Sequence, residues 1–219
     1  PLVVGNSYSM CGKSWQLRSA VSKGIYHYGI FSNANTSSVV VAFRGTEFTS
    51  MPDWQNNFRF LYRVDCELVV EGSCGTGLIH RGFAWVYNRV SCSVLTDLGQ
   101  LLEGSTVKDV YITGHSKGAA VATIAGLDFS RQFPDYNQTF RVITFGSPRV
   151  GSQAFASAFD DSLGSRNIRF VTSSSFWNST GRLWGDDAVT NLPPPTLAAL
   201  ARAESAGTLG AMPCPCIST

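Results

Sequence analysis

Hydrophobic residues along this chain form short apolar runs and longer segments with helical spacing. Residues 38–43 are a continuous apolar run of the kind found in strands buried on both faces of a sheet. Residues 82–102 carry apolar side chains at helical spacing. Further strands are predicted over residues 107–113, 140–145 and 167–172. Strands that alternate with helices indicate an α/β protein with a mostly parallel central sheet and helices on both faces.

A serine between two glycines lies where one predicted strand meets a predicted helix. The segment Gly114-His115-Ser116-Lys117-Gly118 has the pattern G-x-S-x-G, which is weak alone because short patterns of common residues arise by chance. The preceding residues 107–113 are rich in β-branched and aromatic side chains, and residues 119–127 are small and apolar. Strand, tight turn and helix are typical of a nucleophile elbow, which presents a serine Oγ for attack. The alternative is a glycine-rich turn whose serine caps the helix.

A serine that attacks an acyl group needs hydrogen-bond donors for the oxyanion, a base, and a group that orients the base. In an elbow, one donor is the backbone N–H of the residue after the nucleophile, here Lys117. The second donor comes from a loop after an earlier strand, and Thr46, which follows Gly45, is the candidate. An ordinary turn at Thr46 is the alternative that the residues leave open.

Six short blocks of sequence are more specific together than any one of them. They are VAFRGT at 41–46, DWQNN at 53–57, HRGF at 80–83, TGHSKG at 113–118, TFGSPRVG at 144–151 and DAVTNLPP at 187–194. In this order they resemble the class 3 lipases, a fungal-type triacylglycerol lipase family with the α/β-hydrolase fold. The resemblance covers about residues 38–194, and the C-terminal tail after it diverges. We expect one lipase-like domain over residues 1–219.

The resemblance assigns roles to four residues of a catalytic site. It implies Ser116 as the nucleophile, Asp187 as the triad acid, and Thr46 and Lys117 as oxyanion donors. A carboxylate on a loop after a late strand, beyond the serine in the chain, is also where this fold has the acid. Asp186 is the neighbouring alternative, and either carboxylate could cap a turn. The family usually has an apolar residue in place of Lys117, whose charge would alter the electrostatics beside the nucleophile.

The base is missing from its expected place. In this fold the triad runs serine, acid, histidine, yet residues 188–219 contain no histidine. His27, His80 and His115 come earlier, and we expect each to be a packed or surface side chain. A triad serine without its base loses on the order of 10⁴ to 10⁶ in turnover. We therefore expect the histidine on a separate C-terminal segment; a catalytically silent lipase-like binding or structural domain is the alternative.

Residues 47–60 correspond to the lid region of the resembled family. Phe48, Met51 and Trp54 fall near helical spacing, as the apolar side of an amphipathic helix would. Such a lid would cover the site in water and turn its apolar side toward a lipid interface. A helix fixed against the sheet is the alternative.

Composition bears on compartment and partners. The net charge of +2, without a patch of basic and aromatic residues, argues against nucleic acid as a partner. Six cysteines without C-x-x-C spacing favour disulfides over zinc, and therefore an oxidising compartment. Glycosylation sequons at Asn35, Asn137 and Asn178 agree with secretion. The resemblance implies bridges between Cys11 and either Cys214 or Cys216, and between Cys66 and Cys74.

The sequence therefore predicts a secreted serine ester hydrolase, a lipase that acts on acylglycerols through an acyl-enzyme. A phospholipase or a feruloyl-type esterase would use the same residues and is the alternative within the enzyme class. The expected partner is a lipid or other ester substrate, and neither a metal nor an organic cofactor is implied.

Overall fold

The computed structural model of the protein describes residues 3–23, 26–45, 63–65, 77–171, 176–177 and 183–184. The strands of this part are β1 (Ser7–Met10), β2 (Lys13–Lys23), β3 (Tyr26–Asn33), β4 (Ser38–Phe43), β5 (Arg63–Asp65), β6 (Leu78–His80), β7 (Asp109–His115), β8 (Phe140–Phe145), β9 (Asn167–Phe170), β10 (Phe176–Trp177) and β11 (Leu183–Trp184). The α-helices are α1 (Arg81–Asn88), α2 (Ser91–Leu102), α3 (Lys117–Gln132) and α4 (Gln153–Leu163), and the 3₁₀ turns are Pro134–Thr139 and Gly164–Arg166.

Seven strands form one central sheet in the order β1-β2-β3-β4-β7-β8-β9. The pairs from β4 through β7 and β8 to β9 are parallel, as the sequence predicts. The N-terminal half is an antiparallel meander from β1 to β4. Two small antiparallel ribbons, β5–β6 and β10–β11, lie outside this sheet. The α/β class is therefore confirmed, with the parallel half of the sheet carrying the G-x-S-x-G motif at the end of β7.

Alternate residues of the parallel strands face opposite sides of the sheet. Val41, Ile112 and Val142 lie side by side in register and are fully buried. They belong to the core that the described residues of all four helices share. Their neighbours along the chain, such as Thr113 and Ile143, are only partly buried. The described helices thus cover one face, and the helical layer expected on the other face is not among the described residues.

The segment with helical spacing at residues 82–102 forms two helices instead of one. The chain leaves α1 at Arg89, and α2 begins after Val90, whose side chain is almost fully buried. The Val90 N–H donates to the Tyr87 carbonyl, which closes the turn between the helices. Both helices keep an apolar side in the shared core, and this explains why the spacing of their apolar residues continues across the break.

A tyrosine and a carboxylate lie together inside this core. The Tyr87 hydroxyl on α1 donates a hydrogen bond to Asp128 on α3, and both residues are almost fully buried. Burial, and then the negative charge of Asp128, raise the pKa of Tyr87 well above its ordinary value. The hydroxyl therefore keeps its proton and stabilises a carboxylate that would be costly to bury alone.

The start of α3 lies directly against the ends of β4 and β7. A Cβ atom on Gly118 would lie 2.8 Å from the carbonyl carbon of Arg44, and closer still to the carbonyl oxygen of Phe43. A Cβ atom on Gly114 would lie 2.8 Å from the backbone nitrogen of Ala119. Real Cβ atoms essentially never approach other atoms this closely. Glycine at these two positions lets the helix backbone touch the strands.

The two described cysteines differ in their bonding. Cys92 on α2 is disulfide-bonded, and its partner lies outside the described residues. Cys11, in the turn between β1 and β2, carries a free thiol and is exposed to solvent. The bridge expected from Cys11 to Cys214 or Cys216 is therefore not formed in the structure. The expected Cys66–Cys74 bridge falls outside the described residues.

Among the described residues, no helix has the length and apolar character needed to cross a membrane.

Substituting Gly118→Ala will destabilise the protein by about 2–4 kcal/mol, because the new methyl group must push α3 away from β4. Gly99→Ala, inside α2, is the matched control, since its Cβ would meet only the Phe133 ring at an ordinary 3.4 Å. The control should stay within about 1 kcal/mol of wild type or be more stable, because alanine favours helix. Chemical denaturation measures both, and equal stability of the two variants would contradict the close approach at Gly118.

Substituting Tyr87→Phe will cost about 1–3 kcal/mol of unfolding free energy, because Asp128 stays buried and loses a hydrogen-bond donor. Tyr111→Phe, at a partly buried tyrosine of β7, should change the free energy by at most about 0.5 kcal/mol. Urea unfolding curves of both variants provide the comparison. A Tyr87→Phe protein as stable as wild type would show that the bond contributes nothing.

Candidate active site

Ser116 has a backbone conformation that residues with side chains rarely adopt. It follows β7 and precedes α3, with φ of 55° and ψ of −123°. A positive φ in a residue with a Cβ costs on the order of 1–3 kcal/mol and persists only where the surroundings impose it. Ser116 is 8% exposed. A strained serine at a strand-to-helix turn is the geometry of a nucleophile elbow.

Hydrogen bonds on both sides hold the Ser116 backbone in place. Its N–H donates to the carbonyl of Phe145, the last residue of β8, over 3.0 Å. Its carbonyl accepts from the N–H of Ala119 in the first turn of α3, also over 3.0 Å. Ser116 is thus tied both to the neighbouring parallel strand and to the helix that it precedes.

The loop after β4 passes beside the serine. A Cβ atom on Gly45 would lie 2.6 Å from the carbonyl oxygen of His115 and 3.7 Å from the Cβ of Ser116. Only a residue without a side chain lets the β4 loop come this close. The next residue along the chain is Thr46, the predicted oxyanion donor, and it lies outside the described residues.

The Ser116 hydroxyl does not cap the helix. Ser116 occupies the N-cap position of α3, but its side chain makes no capping hydrogen bond. Ser152 at the start of α4 provides the contrast, since it has an extended backbone and its side chain accepts from the Phe155 N–H. An ordinary helix cap needs no positive φ. The reading of Ser116 as a simple cap is therefore not supported.

The block at residues 144–151 connects the elbow to β8 and β9 through hydrogen bonds. Directly after Phe145, the Gly146 N–H donates to the Phe170 carbonyl at the end of β9 over 2.8 Å. The Arg169 side chain of β9 donates to the Ser147 carbonyl over 2.5 Å. These bonds fix the C-terminal end of β8, where the Phe145 carbonyl accepts the hydrogen bond from Ser116. The sequence did not predict this role, because backbone partners across strands leave no signal in residue type.

Two of the histidines make contacts that belong to the fold. His80 is almost fully buried and caps α1, with Nδ1 accepting from the Gly82 N–H over 3.4 Å. The His27 Nδ1 lies 3.0 Å from the hydroxyl of Ser22 across the β2–β3 pair. His115 lies inside the elbow motif and is exposed. The contacts of His80 and His27 agree with the expectation that neither is the base.

Lys117 is the first residue of α3, and only 3% of it is exposed. Burial lowers the pKa of its ammonium group, and the positive charge of Arg44 lowers it further. Its backbone N–H belongs to the first turn of the helix, where no carbonyl four residues earlier in the helix can accept it. The side chain was expected beside the nucleophile, but its burial was not foreseen.

The other predicted site residues, namely Thr46, Phe48, Met51, Trp54, Asp186 and Asp187, lie outside the described residues. Of the predicted site, the structure therefore describes Ser116 and Lys117. Among the described residues, no group of three or more potential metal ligands converges on one point.

Comparison with known proteins identifies the family to which the sequence is similar. The sequence profile of the family "Lipase (class 3)" matches residues 40–195. The secreted mono- and diacylglycerol lipase 1 of Fusarium solani is 32% identical over 176 residues, which cover 78% of this chain and 44% of that protein. The phospholipase A1-II 1 of Oryza sativa subsp. indica is 33% identical over 169 residues, or 70% of this chain and 42% of that protein. The chain thus spans less than half the length of these relatives.

Solved structures share the fold. A mutant form of MDLA from Penicillium cyclopium superposes with a TM-score of 0.68 at 21% identity, covering 90% of this chain and 67% of that one. Lipase II from Rhizopus niveus gives a TM-score of 0.68 at 22% identity, with coverage of 84% and 63%. The predicted α/β-hydrolase architecture is therefore confirmed. The chain belongs to the class 3 lipase family.

Proposed function

We propose that this chain carries the nucleophile of a serine ester hydrolase that acts on acylglycerols. The observation that carries the proposal is the backbone of Ser116, held at φ 55° with a hydroxyl that the helix does not use as a cap. An ordinary turn does not require a strained serine. In a nucleophile elbow the strained backbone presents the serine Oγ away from the main chain, where a substrate can reach it.

The reaction follows from the surroundings of Ser116. Its Oγ attacks the ester carbonyl while its proton passes to the base, and the carbonyl oxygen becomes an oxyanion. The backbone N–H groups of Lys117 and Thr46 donate to this oxyanion. The position of Lys117 in the first helical turn supports its role, and the approach of Gly45 to Ser116 supports that of Thr46. The alcohol leaves with the proton, and water then releases the acid from the acyl-enzyme.

Two further groups complete the proposed machinery. Asp187 orients the base, with Asp186 as the alternative. The base is a histidine on a C-terminal segment that residues 188–219 do not include. The support comes from the order of the triad in this fold, in which the histidine follows the acid.

The setting of the enzyme is proposed from its relatives. Several of them are named as secreted mono- and diacylglycerol lipases, which supports an extracellular location. The disulfide at Cys92 supports an oxidising compartment. Residues 1–219 form one domain, in which Phe48, Met51 and Trp54 belong to a lid that contacts the lipid interface. The shared core of the described helices and strands supports the single domain.

Three alternatives to this proposal differ in substrate or in activity. Relatives from rice are named phospholipase A1, which favours a phospholipid ester as the second candidate substrate. A feruloyl-type esterase would use the same nucleophile. The rival from another class is a lipase-like binding domain without catalytic turnover, since a fold does not guarantee activity.

A fluorophosphonate probe will label the wild-type protein at one site when the segment that carries the base is present, because the probe reacts with a serine hydroxyl that a base has activated. Ser116→Ala will abolish the labelling. Ser162→Ala, at a helical serine whose hydroxyl donates to the Ala158 carbonyl, is the control and will be labelled as wild type is. Intact-mass spectrometry measures the adduct. A wild-type protein that stays unlabelled after prolonged exposure would favour the silent binding domain.

The choice between the two carboxylates is also testable. Asp187→Asn will slow labelling of Ser116 on the order of 10²- to 10⁴-fold, because the base loses the group that orients it. Asp186→Asn will change the rate by less than about threefold, as a residue outside the catalytic machinery should. Slow labelling in Asp186→Asn together with an unchanged labelling rate in Asp187→Asn would make Asp186 the acid. Unchanged rates in both variants would show that neither carboxylate orients the base.

A further inference from the structure

One glycosylation sequon lies on the tight turn that joins β3 to β4. Asn35, Thr36 and Ser37 form this sequon, and Asn35 is exposed to solvent. The Asn33 side-chain oxygen accepts a hydrogen bond from the Thr36 N–H over 3.2 Å. The Lys108 N–H donates to the Ser37 carbonyl over 2.8 Å. Neither bond uses the Asn35 side chain, so a bulky substituent there leaves both of these contacts in place.

A second sequon, at Asn137, is built into the fold. Asn137 lies in the 3₁₀ turn Pro134–Thr139 and is partly buried. The Nη1 of Arg166 donates both to the carbonyl of Asn137 and, over 3.3 Å, to its Oδ1. The Nη2 of Arg166 donates to the Ser162 carbonyl near the end of α4 over 2.6 Å. A glycan on Asn137 would crowd this contact, because the Nδ2 that bears it shares a carbon atom with the Oδ1 that Arg166 binds.

The hydroxyl of the Asn137 sequon is also engaged. A sequon needs a serine or threonine two residues after the asparagine. At this sequon the Thr139 hydroxyl donates to the Tyr136 carbonyl over 2.7 Å. Folding therefore takes up both ends of the Asn137 sequon, whereas Asn35 stays at the surface after its turn has formed. The third sequon, at Asn178, lies outside the described residues.

The exposed sequon lies at the end of the sheet opposite Ser116. β4 runs from Ser38, just after the turn that holds Asn35, to Phe43, and β7 runs beside it in the same direction to the elbow. Six residues of extended strand span about 20 Å. A glycan on Asn35 therefore projects from the sheet far from the nucleophile and leaves the edge at Ser116 open to a substrate.

We propose that Asn35 carries an N-linked oligosaccharide and that Asn137 stays unmodified in most molecules. The donor is a polyprenyl-diphosphate oligosaccharide, and the oligosaccharyltransferase of the secretory pathway is the catalyst. A bond forms between the Nδ2 of Asn35 and the anomeric carbon of the sugar, while the bond from that carbon to the diphosphate oxygen breaks. Nδ2 loses a proton, and the polyprenyl diphosphate leaves. The inference rests on the proposed extracellular location and is independent of the role of Ser116.

The competing account gives the folded structure no part in the choice of site. In that account each sequon is modified before its surroundings fold, and only its residue types matter. Asn137, which has threonine at the hydroxyl position, would then be modified at least as fully as Asn35, which has serine. The fraction of modified molecules at the two sites separates the accounts.

The test measures this fraction in the full chain, secreted from a yeast host behind a host leader. Peptide-N-glycosidase F in heavy-oxygen water converts each glycosylated asparagine into a heavy-oxygen aspartate, which peptide mass spectrometry counts at every sequon. Asn35 will be labelled in most molecules and Asn137 in a minority. The leader brings the chain into the secretory pathway, so the result does not depend on where the protein acts.

Two variants check the assignment on the intact protein. Asn35→Gln will lower the intact mass by one glycan in most molecules. Asn137→Gln, the matched control at the other described sequon, will leave the mass of most molecules unchanged apart from the substitution. An Asn35 that is unmodified in most molecules would overturn the inference, and so would an Asn137 that is modified as fully as Asn35.

Fluorophosphonate labelling of the same samples separates this inference from the proposed function. Asn35→Gln will be labelled at the wild-type rate, because its glycan lies at the far end of the sheet. A labelled Ser116 together with an unmodified Asn35 would overturn the glycan site and leave the hydrolase in place. A modified Asn35 in a protein that never reacts with the probe would support the glycan site and remove the hydrolase.

Discussion

The contact between the first turn of α3 and the end of β4 is the constraint on which the described site depends. Gly118 touches the backbone of Phe43 and Arg44, and no residue with a side chain could take its place without moving the helix. This contact fixes how sharply the chain must turn between β7 and α3. Ser116 lies in that turn and takes up its strain as a positive φ.

The parallel strands extend this constraint across the sheet. Ser116 is bonded to the end of β8, and the end of β8 is bonded to the end of β9. The strands pack against the core that α1 and α3 share. Within it, the Tyr87 hydroxyl of α1 donates a hydrogen bond to Asp128 of α3. The core and the sheet therefore hold the backbone of Ser116 in place. These contacts explain how its unfavourable positive φ persists.

The parts of the structure formed by neighbours in sequence were predictable. β4 and β8 have the predicted bounds, because each is rich in apolar and β-branched residues. The elbow was predictable because strand, glycines and helix follow one another. Contacts between distant segments were not predictable: Gly45 meets Ser116 only in the fold, and nothing in the sequence marks the break after α1. The burial of Lys117 likewise depends on tertiary packing, while Thr46 and Asp187 stay predictions.

An experimental structure of the protein after reaction with a phosphonate ester tests the central claim most directly, because the adduct mimics the tetrahedral intermediate. The account predicts a phosphonyl group on the Oγ of Ser116, with φ of that residue still positive. It also predicts one phosphonyl oxygen about 2.7–3.1 Å from the backbone nitrogen of Lys117. A relaxed Ser116 with negative φ, or a phosphonyl oxygen that faces away from the start of α3, would contradict it.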